Sequence, residues 1–87
     1  MELSQQINEK LKVFAPLSVE ILDESGLHIG HAGAKGGGSH FQLNIVSHHF
    51  SGKSRVERHR MIYAALGTLM QHAIHALAIN ARNPDEL

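Results

Sequence analysis

A chain of 87 residues with 43% apolar and 18% charged content describes one small globular domain that can bury a core, and excludes a disordered tail. Eight acids balance eight lysines and arginines, so the formal charge is zero with histidine neutral. The absence of cysteine excludes a disulfide, a thiol nucleophile and a self-sufficient cysteine-ligated zinc or iron–sulfur site, while eight histidines make an unusual excess.

The first element expected is an amphipathic helix over residues 2–14, because Leu3, Ile7, Leu11 and Phe14 recur at helical spacing. Pro16 ends it, since the residue before a proline is biased away from the α region. Leu17, Val19 and Ile21 alternate with Ser18 and Glu20 as a first strand, and Asp23-Glu24-Ser25-Gly26 turns the chain. Residues 26–38 hold six of the eight glycines and read as a mobile loop. A second strand runs from about His40 to Ser47, where Phe41, Leu43 and Ile45 alternate with Gln42 and Asn44. Gly52 supplies a turn, and Ser54 with Glu57 forms an S-x-x-E capping box opening a helix. On that helix Val56, His59, Tyr63, Leu66 and Met70 form the expected apolar stripe, and Gly67 bends or divides it. Ile74 to Ala81 is a third strand, preceded by a connection containing His72, and Pro84 closes the fold. The order α-β-β-α-α-β predicts an α+β two-layer sandwich, a three-stranded sheet with helices on one face, formed by residues 1–87 as a single domain.

Several motifs carry chemistry in principle. Gly52-Lys53-Ser54 imitates the end of a Walker A loop, but the required earlier glycine is Ser47, so a turn and helix cap explain it and an NTPase is rejected. The glycines from Gly33 to Gly38 around Lys35 imitate a phosphate cradle, yet no helix starts after them and a flexible hairpin loop accounts for them. Between Ser25 and Arg82 six bases face a single acid, Glu57. Four of them, Lys53, Arg55, Arg58 and Arg60, crowd the start of the second helix, where the macrodipole favours acids. Read as a nucleic-acid contact, this run implies modest, salt-sensitive binding; read structurally, it is a solvated helix face.

Among the histidines, His48 and His49 fall at a strand end on the surface, His40 points outward with Gln42 and Asn44, and His59 packs on the apolar stripe. His75 stands out within the strand Ile74-His75-Ala76-Leu77-Ala78, and His28 and His31 lie in the glycine-rich loop. A loop histidine and a strand histidine together offer two imidazole nitrogens to a soft or borderline metal, with the remaining ligands supplied by another molecule. No acid pair in an apolar setting and no nucleophile with a base and orienter is evident, so an enzyme is not expected. No apolar run approaches a membrane span, and the acidic start MELSQQINEKL lacks a secretory or transit pattern, so a cytoplasmic protein is expected.

The stretch DESGLHIGHAGAKGGGSHFQLNIVSHHFSGKSRVERHRMIYAAL, together with IHALAINARNP, resembles the BolA family over nearly the whole chain. The Phe-x-Gly-x-Ser-x-x-x-Arg-His-Arg segment (Phe50 to Arg60) and His75-Ala76-Leu77 are specific together, and the Asp-Glu-Ser loop start looks like the BolA type rather than the shorter-looped IbaG type. The resemblance implies a fold akin to the class II KH domain without a Gly-x-x-Gly nucleic-acid loop, and none lies between the helices of this chain. It implies pairing with a monothiol glutaredoxin and a [2Fe–2S] cluster shared with that partner and glutathione, with no cluster expected on the isolated chain, for which a weak homodimer is a further expected association. The strand ligand carried over by position is His75. Counting forward from Asp23-Glu24-Ser25 gives His28 as the loop ligand, preferred here, and counting back from His40-Phe41 gives His31. Family members are also described as regulators that bind promoter DNA, for which Lys53, Arg55, Arg58 and Arg60 are the expected contacts. Two functions are therefore expected, a cluster-sharing adaptor and, as the alternative, a DNA-binding transcriptional regulator using residues 50–60.

Overall fold

A computed structural model describes residues 2–24 and 39–87. Helix α1 (Leu3–Leu11) is followed by strand β1 (Ser18–Asp23), strand β2 (Ser39–Val46), helices α2 (Arg55–Leu66) and α3 (Thr68–His72), and strand β3 (Ile74–Arg82). Short 3₁₀ turns at Lys12–Phe14, His48–Phe50 and Pro84–Glu86 join or finish these elements. The described strands form one three-stranded sheet in the order β1-β2-β3, with β1 antiparallel and β3 parallel to the central β2. The α+β fold read from the sequence is the fold observed, and no described helix is long and apolar enough to cross a membrane.

Alternation on β2 divides the two layers. Phe41, Leu43 and Ile45 are buried and meet Ile7 and Leu11 of α1, Ile62 and Leu66 of α2, and Phe50. Burying each such side chain contributes roughly 1.5–3 kcal/mol, so this one face of the sheet, sealed by helices, supplies most of the driving force. The opposite face carries half-buried Gln42 and Asn44. There the Asn44 amide Nδ2 donates to Glu20 Oε1 across the β1–β2 pair at 2.8 Å. A polar row of this kind suits a sheet face left to water.

Three expectations are corrected. The first helix stops at Leu11 and tightens into the turn Lys12–Phe14. Ala15 then leaves the right-handed α region before Pro16, as expected, but for the left-handed region at φ 44°. Buried Ser47 holds this corner, its Oγ donating to the Phe14 carbonyl at 2.6 Å and accepting the His49 amide at 3.0 Å. Second, Asp23 continues β1 opposite Phe41 instead of turning the chain, and His72 closes α3 instead of lying in a connection. Third, the buried face of α2 is Arg58, Ile62 and Leu66, while Val56 and Tyr63 are 56% and 42% exposed. Spacing of four from Leu66 brings Arg58, not Val56, under the helix. Gly67, at φ 55°, does divide the helix, and the Ser54–Glu57 capping box forms as read, with Glu57 Oε1 accepting the Ser54 amide at 2.8 Å and Ser54 Oγ the Glu57 amide at 3.1 Å.

Candidate functional site

Two places on β3 collect the residues singled out by sequence. At the first, the parallel register slips: Ser39 pairs with Ile74, whereas His40 pairs with Ala76. His75 is the extra residue, a bulge position fixed by its backbone between two paired neighbours. The same corner receives both ends of the segment 25–38, since Glu24 donates its amide to the His40 carbonyl at 2.8 Å and Ser39 opens β2 beside Ile74. His28, His31 and the glycine run Gly33–Gly38 with Lys35 lie outside the described residues. Among the described residues, no three potential histidine or carboxylate ligands converge on a metal position.

The donor chemistry of the chain suits one side of a shared cluster. It offers imidazole and carboxylate but no thiolate, and histidine pairs do ligate one iron of a [2Fe–2S] centre whose other iron is held by thiolates. His75 lies beside the described residues that flank the segment bearing His28 and His31.

The second place lies at the far end of β3, where the start of α2 and the Pro84–Glu86 turn enclose a groove of about 710 Å³. Arg58 is its buried floor, 9% exposed. Its Nε donates to the Lys53 carbonyl at 3.0 Å, and its Nη1 donates to the Ala81 carbonyl at 2.9 Å and to Glu86 Oε1 at 2.6 Å. The cation that seemed misplaced against the helix dipole is therefore a structural tie between α2, β3 and the C-terminal turn. Its inward guanidinium takes it out of the outward-facing basic set expected from sequence. The turn that receives it is self-capped: Asn83 Oδ1 accepts the Asp85 amide and Glu86 Oε1 the Asn83 amide, at 2.8 and 2.7 Å. The Asn83 amide first, and then Arg58, hold the Glu86 carboxyl below the usual carboxylate range. The Ser54 amide does the same for Glu57, helped by Lys53 and Arg60.

Lys53, Arg55 and Arg60 remain exposed, and none makes an ion pair among the described residues. His59 is half-buried and lines the groove with Arg82. Phe50, in the turn expected to face DNA, is fully buried against Phe14, with ring centroids 5.3 Å apart. Sequence reasoning missed Glu86 and the groove; the Asn83-Pro84-Asp85-Glu86 capping pattern was the available signal for the turn.

Comparison with known proteins places these features in a wider set. Residues 11–86 match the family model of the BolA-like proteins. The chain is 44% identical to SufE-like protein 1, chloroplastic/mitochondrial, of Arabidopsis thaliana over 94% of its own length and 24% of that protein. It is 40% identical to the DNA-binding transcriptional regulator BolA of Escherichia coli K12, over 92% of this chain and 74% of the relative. Human BolA-like protein 1 is 42% identical over 90% of this chain, which spans 56% of that relative. Among solved structures, the BolA domain of SufE1 from Arabidopsis thaliana superposes with a TM-score of 0.84 at 40% identity, covering 100% of this chain and 99% of that one. BolA1 from the same plant gives 0.85 at 36% identity, with 100% and 97% covered.

Proposed function

This chain belongs to the BolA-like family, and from that premise we propose that it is a non-enzymatic adaptor that pairs with a monothiol glutaredoxin. The two proteins share a [2Fe–2S] cluster, held on this side by His75 and by His28 or His31 and on the other by the glutaredoxin cysteine and glutathione. The observation that carries the reading is the bulge at His75, beside the corner where the histidine-bearing segment leaves β1 and re-enters β2. When bound, the cluster supplies one-electron chemistry and a transferable unit of iron and sulfide. The histidines of this chain contribute neutral nitrogen donors, and imidazole in place of thiolate raises the potential of such a centre. That favours sensing or handover over permanent storage.

The test is anaerobic reconstitution with a monothiol glutaredoxin, glutathione, iron and sulfide, followed by visible absorption and circular dichroism. A spectrum distinct from that of the glutaredoxin homodimer, altered by His75→Ala and by one of His28→Ala and His31→Ala, is expected and identifies the loop ligand. A spectrum unchanged from glutaredoxin alone sinks the reading.

A second reading, a DNA-binding transcriptional regulator, is supported by the exposed trio Lys53, Arg55 and Arg60 and by the name of the Escherichia coli relative. With three phosphate contacts, the logarithm of affinity falls against the logarithm of salt with a slope of about −3. Duplex affinity indifferent to salt, or to Lys53→Gln with Arg60→Gln, removes this reading.

A further inference from the structure

The groove at the far end of β3 has an unusual pair of walls. One is a strand edge. The Arg82 carbonyl accepts the Ser47 amide at 2.9 Å and so faces β2. Successive peptide groups of a strand alternate sides, which turns the Ala81 carbonyl to the outer edge, where Arg58 takes it. The register from Ala76 to Arg82 is regular, and the same alternation directs the N–H and C=O of Ile79 outward. The sheet order gives β3 no second strand neighbour among the described residues. The other wall is cationic, formed by Lys53 and Arg55 at the start of α2, with Arg82 at the rim. Arg58 and Glu86 satisfy one another and close the end.

We propose that this groove docks an acidic, extended segment of a partner protein, which adds as a short strand to the outer edge of β3 at Ile79 and sets its carboxylates against Lys53 and Arg55. An open edge pairs only with extended backbone, because it needs a donor and an acceptor alternating along the incoming chain. A helix offers neither, its backbone groups being bonded internally. A nucleic-acid backbone meets the cations but brings no N–H donors for the Ile79 carbonyl. The cations select acids, and the strand period places them at every second residue of the segment. Arg58 limits its length, since the guanidinium already occupies the edge at Ala81. This docking surface is independent of the cluster reading, which concerns the other end of the same strand.

The experiment uses the full chain and a fluorescein-labelled octapeptide of alternating glutamate and valine, with a lysine–valine octapeptide and a duplex DNA as comparisons. Anisotropy measures binding, and amide hydrogen exchange by NMR reads the edge. Saturation with the acidic peptide is expected to slow exchange at Ile79 at least tenfold, and Lys53→Gln with Arg55→Gln to weaken binding about tenfold while the free spectrum of the core stays unchanged. No binding of the acidic peptide overturns the proposal, as does binding without protection at Ile79. Tighter duplex binding, lost in the same variant and silent at Ile79, assigns the groove to phosphates and overturns it equally.

Discussion

At its first residues β3 departs from regular pairing: Ser39 meets Ile74, His40 meets Ala76, and His75 is left over between them. At its last residues the strand is tied on both sides, to Ser47 through the Arg82 carbonyl and to Arg58 through the Ala81 carbonyl. The seven residues from His75 to Ala81 span roughly 20 Å of extended chain. The difference teaches how one strand of a small domain can be irregular at one end and fully bonded at the other. An irregular register leaves one residue outside the pairing, the position proposed for a ligand shared with a partner. A fully bonded floor instead fixes backbone and charge in place before any partner arrives.

The comparison breaks most visibly if the two ends are coupled. His75→Ala is expected to abolish the distinct cluster spectrum with glutaredoxin while leaving the NMR shifts of Arg58, Ala81 and Glu86 where they are; movement at those three residues shows that the ends communicate. Next in size, Arg58→Ala strips the Lys53 and Ala81 carbonyls of their donor, and urea unfolding should register a loss of about 2–3 kcal/mol. A loss under 0.5 kcal/mol would mean that the floor of the groove bears little load. Ser54→Ala removes the acceptor for the Glu57 amide at the head of α2 and should cost about 1 kcal/mol, with acidic-peptide affinity falling as Lys53 and Arg55 lose their fixed base. Acid has the mildest effect. The Glu86 carboxyl titrates below its unfolded value, so its contribution is complete above the ordinary glutamate range and disappears as pH falls through the lowered folded value. Thermal melts of the parent and Glu86→Gln should converge over that acid window, and a gap that persists below it contradicts the assignment.

How much of this was legible in the sequence depends on the range of the contacts. The alternation Phe41, Leu43, Ile45 and the capping box Ser54–Glu57 are local patterns, and both were read correctly because their partners lie within a few residues. The relation of Arg58 to Glu86 spans 28 residues, so no periodicity announces it. The phase of α2 could have been found from Ile62 and Leu66, whose spacing of four extends back to Arg58. Val56 and Tyr63 drew attention away because apolar residues occur on both sides of that helix. The bulge at His75 was invisible for a different reason: register belongs to a pair of strands, and a single strand does not carry it.

The parallel pairing of β2 and β3 has a temporal side. β1 and β2 close as an antiparallel pair, but Ser39 finds Ile74 only across 34 residues of intervening chain. Contacts of such separation form late, because loop closure must precede any reward from pairing. β3 thus completes the sheet only after that long closure. Its bulge and its groove are built on that one strand, so both wait on the same long closure before either exists.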